Sequence, residues 1–121
     1  SANFDIANFE SYCESLSYNP ARLNSDYLIF GYRLNGNILT IGDIWLKKIW
    51  EITCPSKRWP LKTQTKRDQI YNIRPAAWYS NRSRYTPFDS KEEFVDALYE
   101  TQKMYLQIDE SPEENRFRAY D

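Results

Sequence analysis

Apolar side chains recur in two distinct rhythms along the chain, and the rhythms divide it into elements. Ile6, Phe9, Cys13 and Leu16 are spaced by three and four, which puts them on one face of a helix. Asn3 or Asp5 is placed to cap its start, and Asn19-Pro20 stops it. Its acids, Asp5, Glu10 and Glu14, lie off the apolar face. The pattern then changes. Asp26 to Arg33 contains the unbroken apolar run Tyr27-Leu28-Ile29-Phe30, which predicts a strand covered on both faces. Asn35-Gly36 marks a tight hairpin turn, and Ile38–Ile41 and Ile44–Thr53 read as further strand.

Pro55 and Pro60 bracket a break around Lys57-Arg58-Trp59. Leu61 to Lys66 alternates, with Lys62, Gln64 and Lys66 on one face. Arg67-Asp68-Gln69 supplies a turn, and Ile70 to Arg74 returns, with Ile70, Asn72 and Arg74 on one face, until Pro75 ends it. Residues 76–86 read as loop. Ser90 and Glu93 form a capping box ahead of a second amphipathic helix through Phe94, Leu98, Thr101 and Tyr105. Ser111-Pro112-Glu113-Glu114-Asn115 suggests a loose tail over 107–121. The expected fold is α+β: a mainly antiparallel or mixed sheet of about five strands between residues 26 and 74, packed by an N-terminal and a C-terminal helix. At 121 residues the chain suits a single domain, or part of a larger protein.

Charge sharpens this picture. The whole chain carries −1, yet Pro55 to Arg84 holds eight Lys and Arg against the single acid Asp68, a balance of +7. From Asp89 to Asp121 the balance is −6, ten acids against four bases. This asymmetry turns the basic middle toward a polyanion and the acidic helix away from it. Lys57, Arg58, Lys62, Lys66, Arg67 and Arg82 are suited to phosphates. Gln64, Asn72, Arg74 and Arg84 have the chemistry that reads base edges, and a two-stranded ribbon fits a major groove. Trp59 is placed to pack under the loop or to stack on a base. A solvated basic face with no ligand has the same composition.

Other chemistries narrow quickly. There is no His, which removes Ser-His-Asp and Cys-His nucleophiles, and Cys13 and Cys54 are too few for a zinc site. Two reduced thiols fit an intracellular, cytoplasmic protein. No apolar run approaches a membrane span, and no signal-peptide pattern opens the chain. The start at Ser1 without Met suggests processing, a tag, or excision from something longer. The three glycines form no phosphate loop. The best acid pair is Asp43 and Glu51, beside Lys47 and Lys48. Two carboxylates on one ion could activate water, but on a straight strand these two lie roughly 26 Å apart.

The order of these elements resembles the C-terminal half of type II restriction endonucleases of the PD-(D/E)XK superfamily. The resemblance is carried by Ser1–Asp5 and the helix after it, Ser25–Tyr32, Lys48–Ile52, Leu61–Lys66 and Tyr71–Pro75. It implies a Mg²⁺-dependent nuclease acting on double-stranded DNA, a homodimer when complete, and DNA contacts from the basic stretch. The resemblance implies that the family's Glu-x-Lys strand comes before Ser1, with no equivalent here; in the Asp43 and Glu51 pair, Thr53 stands where a Lys is wanted. The resemblance therefore implies that the metal site comes from a catalytic half or second subunit outside this sequence. A compact, aromatic-rich domain without His also suits a protein-interaction module, such as a phage or mobile-element inhibitor of a host defence system.

Overall fold

A computed structural model of the chain describes residues 4–80 and 82–120, with side chains described for 4–80 and 82–107. The loose end expected over 107–121 lies, past Gln107, outside the residues whose side chains are described. Strand β1 (Ala7–Asn8) leads into helix α1 (Phe9–Tyr18). A hairpin follows, β2 (Tyr27–Asn35) and β3 (Ile38–Lys47), then a second, β4 (Thr63–Lys66) and β5 (Gln69–Ile73), and finally helix α2 (Lys91–Tyr120). Short 3₁₀ turns cover Pro20–Asn24 and Ile49–Glu51. Among the described residues the fold is α+β with five strands, as expected in class and number, but β1 lies before residue 26 and the strands form two antiparallel sheets, β1-β5-β4 and β2-β3.

Helix α1 starts later than the sequence suggested. Asn8 is the N-cap, its side-chain oxygen accepting from the Ser11 N–H at 3.0 Å, and Ile6 and Ala7 go to the sheet side. The apolar spacing works as predicted, with Phe9, Cys13 and Leu16 buried and Tyr12 beside them. At α2, Ser90 Oγ accepts from the Glu93 N–H at 3.2 Å. The Glu93 carboxylate reaches back to the Asp89 N–H at 3.0 Å, one residue beyond the usual box partner.

The core sits between the two helices and the three-stranded sheet. Phe9, Tyr12 and Leu16 from α1 meet Phe94 and Leu98 from α2, with Ile49, Trp59, Leu61, Ile70 and Ile73 filling between. Its one deep polar anchor on α2 is Thr101, whose hydroxyl accepts from the Leu61 N–H at 3.0 Å. A buried N–H without such a partner costs about 1–3 kcal/mol. Irregular segments are tied to the strands by backbone bonds, Lys62 N–H to Cys54 O at 2.8 Å and Ala76 N–H to Ile52 O at 2.7 Å. Burial pushes the Cys13 thiol up to about 11, with Glu10 adding to the effect, and burial also raises Cys54. Both thiols are unpaired.

Two strand readings are corrected. The run Ile44–Thr53 is not one strand: β3 ends at Lys47, and Ile49–Glu51 turns instead. There the Glu51 carboxylate accepts from the Lys48 N–H at 2.8 Å, and Thr53 donates its hydroxyl to Ile49 O at 2.8 Å, so both side chains serve the turn. The second correction concerns β2. It is not covered on both faces. Directly opposed residues share a face, and on one face of β2–β3 these are Leu28–Leu46, Phe30–Ile44, Tyr32–Ile41 and Leu34–Leu39. All eight are exposed. The other face is held at its root, where half-buried Trp45 lies edge-on to Trp78 at 5.7 Å.

A bulge keeps that exposed face apolar. Between the Phe30–Ile44 and Tyr32–Ile41 pairs lie one residue on β2 and two on β3, with Gly42 and Asp43 opposite Gly31. Without the extra residue, Ile41 and Leu39 would turn to the opposite face.

Candidate nucleic-acid interface

The second hairpin carries the candidate site. Its four-residue first strand buries little: Thr63 and Thr65 are half-buried and Gln64 and Lys66 exposed, the alternation expected from sequence. On β5, Ile70 and Ile73 are both buried, so the face predicted for Ile70, Asn72 and Arg74 does not exist as such. A register shift between Thr63 and Thr65 accommodates the three-residue step and leaves Asn72 beside Gln64 on the outer side.

Arg67 and Asp68 form the two-residue turn, both with left-handed backbone at φ 52° and 65°. That is the backbone hand which fits a tight hairpin, and Gly or Asn usually supplies it. An Arg there costs about 1 kcal/mol in backbone strain. Around the turn, residues 66–69 are all exposed.

Electrostatics divide the eight cations into two groups. Arg58 is paired with Asp68 across the turn and lies 5.0 Å from the Trp59 ring. Arg74 is paired with Asp5 and also donates to Phe4 O at 3.3 Å. Lys57, Lys62, Lys66, Arg67, Arg82 and Arg84 have no carboxylate partner among the described residues, and all six are exposed. Lys62 leans on Pro75 O at 3.4 Å, and Arg84 sits 5.4 Å from the Tyr85 ring in the following loop.

Of the four candidate base readers, Gln64, Asn72 and Arg74 form a connected group, and Arg84 is not part of it. Asn72 Nδ2 donates to Gln64 Oε1 at 3.0 Å and to Asp5 Oδ2 at 3.2 Å, and Asp5 in turn holds Arg74. Asp5 was not singled out as part of this site. It lies 67 residues from Asn72, and no local spacing connects them. Trp59 takes the first of its two expected roles: it is buried, with its indole N–H donating to Thr65 Oγ1 at 2.8 Å, which leaves no free ring face for a base.

The two acids of the expected pair sit in different local settings. Asp43 is exposed at the bulge, bordering an open recess of about 340 Å³ with Arg33 and Thr40. Glu51 is occupied by the turn described above. Among the described residues no three His, Cys, Asp or Glu are grouped so as to hold a metal ion. Nor is any helix among them long and apolar enough to cross a membrane.

Comparison with known proteins gives the chain a family. A family model described as NgoBV restriction endonuclease matches residues 1–118. The chain belongs to that family. It is 44% identical over 104 residues to the type II restriction enzyme NlaIV of Neisseria lactamica, covering 84% of this chain and 42% of NlaIV. It is 38% identical over 68 residues to the type II restriction enzyme NgoBV of Neisseria gonorrhoeae, covering 53% of this chain and 37% of that enzyme. The solved NlaIV restriction endonuclease superposes with a TM-score of 0.80 at 43% identity, over 84% of this chain and 42% of that one. The chain thus spans less than half the length of these NgoBV-family relatives.

Proposed function

We propose that this chain is the DNA-contacting portion of a type II restriction endonuclease of PD-(D/E)XK type, and that β4–β5 with its flanking loops meets duplex DNA. The observation that carries the proposal is the turn of the hairpin. An arginine held at φ 52° at an exposed tip is locally unfavourable, and strain of that kind is retained where a side chain is needed at that point. Arg67 is flanked by Lys66, and neither has an acid partner among the described residues. Phosphate contact is the use that such unpaired cations serve best. Gln64 and Asn72, tied together and oriented by Asp5, are the base readers. Arg74 and Arg58 act differently from the rest: each must leave a carboxylate before it can reach DNA, so their first role is to hold Asn72 and the turn in place.

In this reading the Mg²⁺ that such nucleases use is held by residues outside this chain, and the working enzyme is a cytoplasmic homodimer. The test is the double substitution Lys66→Ala with Arg67→Ala, with affinity for a duplex measured across a salt series. The expected result is a log-affinity against log-salt slope shallower by about 2, because each phosphate contact contributes about 0.9. An unchanged slope removes the hairpin from the interface.

A further inference from the structure

The β2–β3 ribbon has no part in the DNA reading, yet it is the most unusual surface of the molecule. Nine of the fourteen most exposed large apolar side chains among the described residues lie on it. The four cross-strand pairs that share its open face are each 52–66% exposed and include no charge. Chance does not explain this face, because the Gly42–Asp43 bulge is what keeps Ile41 in line with Ile44. Taking about 200 Å² for a fully exposed large side chain, the face offers on the order of 900 Å². A stable interface buries about 800 Å² per partner, and a charge-free one resembles a domain core cut in half. Both outer edges are open as well, since β2 and β3 pair only with each other. A lone two-stranded ribbon is marginal in water, and its free edges invite further strands.

We infer that this ribbon is the docking surface for the polypeptide that makes up the rest of an NlaIV-type enzyme, packed on its apolar face and able to extend its edges. Three observations select that occupant over a second copy of the chain. More than half of NlaIV lies outside the match, so such a polypeptide exists in the relative. Two ribbons stacked face to face would still leave their strand edges unpaired. The nuclease reading also calls for a metal-ligand set, and the described residues group no three His, Cys, Asp or Glu that could supply one. This last point rests on the nuclease reading above; the first two do not.

The experiment co-expresses the full chain with a tagged NlaIV segment lying outside the match, and measures co-purification and amide exchange in residues 27–47. The expected result is a 1:1 complex in which the ribbon amides become protected. Phe30→Asp with Ile44→Asp should weaken the complex at least about tenfold while leaving the free chain folded, because both side chains face solvent there. Failure to co-purify overturns the inference, as does a complex indifferent to the double substitution. Sedimentation showing that the chain alone dimerises through the ribbon, with the dimer abolished by the same substitution, also overturns it in favour of a second copy. The double substitution should leave duplex binding by the free chain unchanged. An unmodified chain that binds duplex but forms no complex therefore counts against this inference alone, and an unmodified chain that forms the complex but does not bind duplex counts against the DNA reading alone.

Discussion

The two hairpins share a local design and have opposite surroundings. Each is two antiparallel strands closed by a tight turn with positive φ, at Gly36 in β2–β3 and at Arg67-Asp68 in β4–β5. In β4–β5 the apolar residues, Ile70 and Ile73, point into the core and the polar ones point out. In β2–β3 the longer and more apolar strands lie mostly in solvent. Hydrophobicity alone therefore does not decide which hairpin is buried within this chain. The difference separates a finished surface from an unfinished one. The polar hairpin already has its core partner and is free to meet a ligand, whereas the apolar ribbon lacks the layer that its composition demands.

The contrast can be broken most sharply by paired truncations. Ile73→Ala should cost about 2–5 kcal/mol in urea unfolding, since it empties a fully buried site. Ile44→Ala on the ribbon should cost less than about 0.5 kcal/mol in the free chain. Similar losses at both sites would mean that the ribbon is already buried in solution. Arg67→Gly should act in the other direction, stabilising the hairpin by about 1 kcal/mol through relief of the left-handed strain, while weakening DNA binding. Destabilisation would show that Arg67 has a structural role.

The smallest effect concerns pH. The Cys13 and Cys54 thiols are raised in the folded chain, so the native state holds those protons more tightly than the unfolded one. Their contribution is complete below the ordinary thiol value and is lost as pH rises through about 11 for Cys13. Melting temperature should fall over that range, and less so in Cys13→Ala. An equally steep fall in the variant would place the cause elsewhere.

Much of the fold was readable from spacing. The face of α1, the Ser90 cap of α2 and both hairpin turns were local signals, and local signals survive in a single sequence. The errors arose where the answer lies outside the segment. Tyr27-Leu28-Ile29-Phe30 reads as a strand covered on both faces, yet only one face is partly covered, because what packs there is set by residues distant in sequence, such as Trp78 against Trp45. The Lys48–Glu51 turn was hidden because Ile49, Trp50 and Ile52 fit a strand as well as a turn, and the deciding contact is a side-chain cap. Likewise the six unpaired cations could be distinguished from Arg74 only after folding, because Asp5 reaches Arg74 and Asn72 from 69 and 67 residues away.

The most direct test of the DNA-contacting role is duplex binding by the unmodified chain, followed by fluorescence anisotropy on a random-sequence duplex without metal across a range of salt. Six unpaired cations, each contributing about 0.9, predict a log-affinity against log-salt slope approaching about −5. A flat response, or no binding at low salt, would contradict the account and leave the basic hairpin an ordinary solvated face.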